Sequence, residues 1–308
     1  MRSHLVLEIA SELVDRNDWQ YRQARISLRE QGADHWPVNL FGSDGPDSIH
    51  QIARGELQVA TINPAAPLAL ALKGTGPFKT PIAVRAIAVI PSYDQLVLGV
   101  AERTGLKSLN DIREKRYPLR VSLRGQRDHS VHPVLDEVLA AAGFSLGDII
   151  AWGGEVHYDD GLPSTPNRMG PFQRGERDAM FDEAVKNWLN MGLDAGIRVL
   201  PLEGDLLRKL EALGFRRGTI ERARFPRLSA DIPTLDFSGF PLFTHADVPH
   251  GMIHSICAAL EARKHTILWE GEGPLPLDRM CRDTPEGPLN IPLHPAAEKF
   301  WRECGYLS

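Results

Sequence analysis

The stretch LRVSLRGQRDHSVHPVLDEVLAAAG, residues 119–143, changes its hydrophobic period half-way along. Leu119, Val121 and Leu123 alternate as in a strand, whereas Leu135, Val138, Leu139 and Ala142 recur at helical spacing. The polar run from Arg124 to His132 therefore forms a strand-to-helix turn, and that turn is the first candidate for a ligand site. A helix start presents unpaired backbone N–H groups and the positive end of its dipole, which suits an anion; Arg124, Arg127, His129 and Ser130 add side-chain donors. The competing reading is a solvated loop in which Ser130 or His132 caps the helix and Pro133 occupies its first turn.

The same alternation recurs along the chain. His4–Ile9 is predicted as a first strand and residues 18–31 as a helix, with Trp19 and Tyr21 near its start. Residues 37–41 read as a second strand running into GSDGPDS, where Asp44 or Gly45 caps a helix. A third strand over 57–62 ends in Asn63-Pro64, and 65–72 reads as helix up to Gly74. This order predicts a parallel sheet with right-handed crossovers. Residues 83–101 hold two apolar runs separated by Pro91-Ser92-Tyr93-Asp94 with no helix between them, so the second run is antiparallel or leads elsewhere. Beyond the organising turn come a Gly/Pro/Asp-rich stretch over 153–171, a strand at 179–181, a helix at 183–193 and a strand at 197–202. An amphipathic helix over 205–213, two strand candidates within 232–243 and helices at 249–268, 277–282 and 295–304 complete the chain. The expected architecture is α/β in two lobes: residues 1–99 and 206–308 form lobe I, residues 100–205 are inserted as lobe II, and the ligand cleft lies between them.

A formal net charge of −5 without any Lys/Arg run argues against a nucleic-acid surface. No segment approaches the roughly 20 apolar residues that span a bilayer, so no membrane insertion is expected. Three cysteines stand too far apart for a Cys-x-x-Cys site and suit a reducing compartment or burial. The first thirty residues lack a signal-peptide core, which predicts a cytoplasmic protein; a chain whose leader had been removed would read the same way and work in the periplasm. Dinucleotide, phosphate-loop, nucleophile-elbow and zinc-protease motifs are missing, and no cofactor is implied. His157-Tyr158-Asp159-Asp160 reads as a surface turn and His250/His254 as a helix surface, so no metal is expected. The oligomeric state is not legible.

In an open α/β sheet, ligands bind beyond the carboxyl ends of the strands. Those ends supply Ser11, Ser43, Asn63, Ser92 and Tyr93, together with Arg124, Gln126, Arg127, His129 and Ser130 of the turn. Donors outnumber acceptors, which favours a carboxylate ligand held by Arg124 in a bidentate pair. Replacing Arg124 by Ala is accordingly expected to abolish acid binding without unfolding the protein. Asp182 or Glu183, after the strand at 179–181, is placed to meet an amine or hydroxyl; the alternative is a helix start carrying acidic residues.

The order of these pieces resembles the TAXI-type solute-binding subunits of TRAP transporters, within the type II periplasmic-binding-protein fold. GELQVATINPAAPLAL looks like that family's strand–helix step, and YDQLVLGVAERTGLKSLNDIREKRYPLRVSLRG like its crossover into the second domain. IRVLPLEGDLLRKL, IPTLDFSGFPLFTHADVP and PLHPAAEKFWRECGYL follow its order and spacing, so the resemblance runs from about Leu57 to Leu307. It implies a two-lobed protein with central mixed sheets flanked by helices, closing on a small organic acid in partnership with a membrane permease. Two loops depart from the pattern. Ala10-Ser11-Glu12-Leu13 stands where the family has a Gly/Thr/Ser-rich loop, and Arg124 to Ser130 puts titratable groups where it has small donors. Some proteins of this broad fold are cytoplasmic enzymes, including aromatic-acid decarboxylases. The alternative expectation is therefore a cofactor-independent lyase or decarboxylase in which Arg124 holds the carboxylate while His129 or Asp128 handles the proton.

Overall fold

The computed structural model describes residues 2–16, 23–29 and 37–308. Helix α1 (Arg2–Arg16) is followed by β1 (Ala24–Leu28), β2 (Val38–Gly42), α2 (Asp47–Ala53), β3 (Val59–Thr61), α3 (Ala66–Lys73), β4 (Val84–Ile90) and β5 (Val97–Ala101). Next come α4 (Leu109–Glu114), β6 (Arg120–Arg124), α5 (Val131–Ala142), α6 (Leu146–Ala151), β7 (Glu155–Asp159), α7 (Pro166–Gln173), β8 (Ala179–Asp182), α8 (Val185–Asp194) and β9 (Ile197–Val199). The chain closes with α9 (Gly204–Leu213), β10 (Arg217–Ile220), β11 (Ile232–Leu235), β12 (Phe240–His245), α10 (His250–Arg263), α11 (Leu277–Met280) and α12 (Pro295–Glu303).

The strands form two five-stranded sheets, ordered β1-β2-β3-β12-β4 and β7-β6-β8-β5-β9, and a β10-β11 ribbon. Both sheets are mixed. β2 and β3 run parallel while β12 is antiparallel to β3 and β4; β6 is parallel to β7 and β8 while β5 is antiparallel to β8 and β9. The expected two-lobed α/β class, with central mixed sheets flanked by helices, is what the chain adopts.

Local chemistry accounts for the element ends near the cleft. α3 stops at Gly74, which takes the left-handed conformation (φ 70°) and turns its amide back onto Ala71 and Leu70. α4 starts at Ser108, whose hydroxyl accepts the Asp111 amide, and α6 starts at the Ser145/Asp148 capping box. β5, buried at every residue, packs in the second sheet between β8 and β9. The two chain crossings lie side by side: Gln95 Nε2 donates to Asp236 Oδ1 at 3.0 Å and Thr234 Oγ1 donates to the Leu96 carbonyl at 2.7 Å.

Several expectations are corrected. The predicted strand His4–Ile9 is part of α1, because its apolar residues continue as Ala10, Leu13 and Val14 at helical rather than alternating spacing. Of the predicted helix over 18–31, residues 24–28 form β1, an edge strand paired antiparallel with β2; Trp19 and Tyr21 lie outside the described residues. The stretch 153–171 holds β7 and the start of α7, and residues 217–220 form the unforeseen β10. Among the described residues no helix is long and apolar enough to cross a membrane.

Candidate functional site

β3, β6 and β8 end close together, and the residues just beyond them meet across the lobes. A cavity of about 400 Å³ opens there, lined by Asp44, Asn63, Ser92 and Phe240 from the first lobe's side and by Arg124, His129, Leu162, Glu183, Ala184, Lys186 and Asn187 from the second's. Asp94, at the crossing, and Glu270 complete the wall. Arg124 is 6% exposed, His129 1% and Glu183 1%, so the ionisable floor is nearly dry.

Arg124 leaves β6 pointing at β8. Its Nε and Nη2 donate to Asp182 Oδ1 at 3.0 and 2.6 Å, and Nη2 lies 3.3 Å from Glu183 Oε1. Asp182 also receives the fully buried Arg168 of α7 and the Glu183 amide. His129 is oriented by α5: its Nδ1 accepts the Val131 amide at 3.1 Å, which puts the ring proton on Nε2. That nitrogen stands 3.4 Å from Glu183 Oε1 and 3.3 Å from Arg124 Nη1, so two donors converge on one carboxyl. Asn63, from beyond β3, donates Nδ2 to the same carboxyl at 3.3 and 3.5 Å and so ties the two lobes together. The Asp44 carbonyl, in the loop after β2, accepts the Ser130 amide and hydroxyl at 2.9 and 2.7 Å.

Electrostatics separates the three buried carboxyls. Burial opposes ionisation of Asp182, yet Arg124 and Arg168 outweigh it and hold this group well below the usual carboxylate range. Burial pushes Glu183 far up, and the neighbouring Asp94 and Asp182 add to the rise against the opposing pull of Arg124. Asp94 rises to about 6 through burial, although it accepts the Gln95, Ala184 and Val185 amides at 2.7 to 2.9 Å. Trp188 of α8, fully buried, donates Nε1–H to the Glu183 carbonyl at 2.7 Å.

Of the residues singled out in the sequence, Asn63, Ser92, Arg124, His129 and Glu183 line this cavity. The others are turned elsewhere. Ser11 lies on α1, exposed and away from any strand end, because the strand expected there is a helix. Ser43 Oγ accepts the Gly45 amide, and Tyr93 donates its hydroxyl to the Thr219 carbonyl beneath the Arg224 guanidinium. Arg127 stacks 3.4 Å over the Tyr158 ring, Asp128 accepts from Gln23, and Ser130 is bound to Asp44. Gln126 borders a neighbouring cavity of about 290 Å³ behind Arg124, with its buried Oε1 unpartnered among the described residues. Asp182 sits under the floor as the counter-ion of Arg124 and Arg168 rather than facing the cavity. The bidentate fork assigned to a ligand is thus filled by Asp182, and the remaining Nη1 lies 3.3 Å from His129 Nε2 at the cavity wall. Asp94, Lys186, Asn187, Phe240 and Glu270 were not singled out. Among the described residues no group of His, Cys, Asp or Glu is arranged to hold a metal ion.

A model of the NMT1-like family matches residues 41–305. The chain belongs to the NMT1-like family. No curated protein matches it. Among solved structures it is similar to the alkanesulfonate-binding protein SsuA from Xanthomonas axonopodis pv. citri bound to MOPS, with 15% identity, a TM-score of 0.32, and coverage of 71% of this chain and 61% of that one. It is also similar to the periplasmic aliphatic sulphonate binding protein SsuA from Escherichia coli, with 18% identity, a TM-score of 0.36, and coverage of 72% and 60%. The chain therefore spans less than two thirds of either protein. Within this NMT1-like chain the family match takes in every residue that lines the cavity.

Proposed function

We propose that this NMT1-like protein binds a small organic acid carrying a hydroxyl or amine group, in the cavity between its lobes, as a solute-binding subunit of the TAXI type that serves a TRAP permease. The observation that carries the binding reading is the convergence of Asn63, Ser92, Arg124, His129, Glu183 and Lys186 from both lobes on one cavity of about 400 Å³. Arg124 Nη1, Lys186 and Ser92 offer donors to a carboxylate, while Asp44, Asp94 and Glu183 offer acceptors to the ligand's hydroxyl or amine. Calorimetry with a panel of aliphatic and aromatic acids, with and without hydroxyl or amino groups, tests it. Micromolar binding of substituted acids, weakened roughly tenfold or more by Lys186→Met, is expected, since a hydrogen bond to a charged group contributes about 1.5–3 kcal/mol. Binding by none of them, or binding unaffected by Lys186→Met and Asn63→Ala together, sinks the proposal. The permease role further requires export; finding the protein wholly in the cytoplasm would remove that half.

A second reading rests on Glu183. A buried carboxyl whose hold on its proton is raised by burial, 3.4 Å from the His129 Nε2 and 3.3 Å from Arg124, is placed to deliver that proton to a carbanion left by loss of CO₂. Incubating the bound acids and measuring loss of CO₂ or water by mass spectrometry decides it. Product formed by the wild type and not by Glu183→Gln would establish the lyase; ligands recovered intact would exclude it.

A further inference from the structure

A separate groove, of about 920 Å³, runs between α10 and the face of the first sheet made by β1, β2 and β12. Leu28, Leu40, Leu242, Met252, Ile256 and Leu260 line it, and the exposed Arg29 and Arg263 border it. Leu28 is 46% exposed, although it stands opposite Val38 in the sheet. A sheet face of this kind is ordinarily closed by a helix.

The same chain carries a helix that nothing among the described residues buries. Leu5, Ile9 and Leu13 lie one above another on α1 at i, i+4 and i+8, are 62%, 53% and 45% exposed, and no side chain of α1 is buried. Beside that stripe run Glu8 and Asp15, with Glu12 paired to Arg16 of the same helix, an acidic flank opposite in sign to Arg29 and Arg263. Fifteen residues make a helix roughly 22 Å long, enough to follow several turns of α10 along the groove. Within one chain the two apolar surfaces stay apart.

We propose that two copies of the chain associate by each laying its α1 into the groove of the other. The contact is isologous and closes after two copies, with the apolar stripe over β1, β2 and α10 and the acidic flank against Arg29 and Arg263. The acidic flank also argues against an anionic lipid surface as the occupant, because such a surface attracts Lys and Arg and repels Glu and Asp.

Sedimentation equilibrium of the full chain tests this with two variants at exposed positions, Ile9→Asp on α1 and Ala259→Asp in the groove. The wild type is expected to sediment as a dimer at micromolar concentration, and each variant alone to associate at least tenfold more weakly. An equimolar mixture of the two should associate more tightly than either variant alone and more weakly than the wild type, because one of its two contacts joins an intact α1 to an intact groove. A wild type that stays monomeric at roughly 100 µM, where a Kd tighter than about that value would show, overturns the proposal. So does a mixture that associates no more tightly than the separate variants, the result expected if α1 docks on its own chain, and so does loss of anionic-vesicle binding in Ile9→Asp from a monomeric wild type. Matching melting temperatures verify folding; should either variant melt early, Leu13→Asp and Ser255→Asp replace them.

Discussion

At the scale of single residues, the site is governed by what is already paired. Arg124 is bound to Asp182 and touches Glu183, so Arg124→Ala leaves the buried Glu183 without its cation and Asp182 with Arg168 alone. Breaking one side of a buried ion pair costs about 3–5 kcal/mol, and urea unfolding should show a loss of that size instead of the intact fold expected from the sequence. Less than about 1 kcal/mol would mean that the pair contributes little. The remaining carboxyls set the pH response. Asp182, held low, contributes stability that is present above its unfolded value near 4 and is lost as pH falls below it. Asp94 and Glu183, held high, bind protons more tightly folded than unfolded, so they lower stability as pH rises from about 4 through about 6 and beyond. Glu183→Gln keeps the shape and removes one of these protons; its melting temperature should exceed that of the wild type by a margin that widens from pH 5 to pH 8. A constant margin would contradict the raised carboxyl.

Among the elements, those with strong local punctuation were legible. The α3 stop at Gly74 and the β6–α5 unit stand where periodicity puts them. Gly74 is the sharpest case, since a Cβ there would lie 2.6 Å from the Pro81 nitrogen on a left-handed backbone. Gly74→Ala should cost about 1–3 kcal/mol, read as a lowered urea midpoint with ligand affinity kept; an unchanged midpoint would refute the cap. Elements without such punctuation were missed. β7 is an edge strand with no fully buried residue, so its sequence, EVHYD, carries no apolar run to read. β10 is four residues held by its ribbon partner, and β1 is defined by pairing with β2 rather than by its own pattern. The site divided along the same line. Asn63, Ser92, Arg124 and His129 follow strand ends and could be read locally, whereas Lys186 on α8 and Glu270 after α10 reach the cavity only through tertiary folding. Their neighbours Tyr93, Arg127 and Ser130 also follow strands, yet ring stacking and backbone acceptors claimed them.

For the whole molecule, Asn63 with Glu183, Ser130 with Asp44 and Lys186 with Glu270 join the two halves by polar contacts, and a buried apolar cluster that includes Ile49, Leu70, Phe78, Val131, Val134 and Leu135 joins them as well. Any opening must part that apolar contact as well as the polar ones, while the Gln95–Asp236 junction holds the crossings together as the hinge we propose for closure. A bound acid should close it. At one hundred times its Kd the ligand should add about 2.7 kcal/mol to unfolding free energy, and the radius of gyration from solution scattering should not grow; a ligand that binds without raising the urea midpoint would place binding outside the folded cleft. Trp188 makes that event visible from inside. Because its indole N–H is bonded to the backbone of Glu183 and shielded from solvent, the colour and intensity of its emission depend on the electric field at the cleft floor. With the other five tryptophans replaced by phenylalanine, the protein carries its own optical gauge of occupancy, which needs no attached dye, and a titration followed at the tryptophan band would report charge arriving beside Glu183 as it happens.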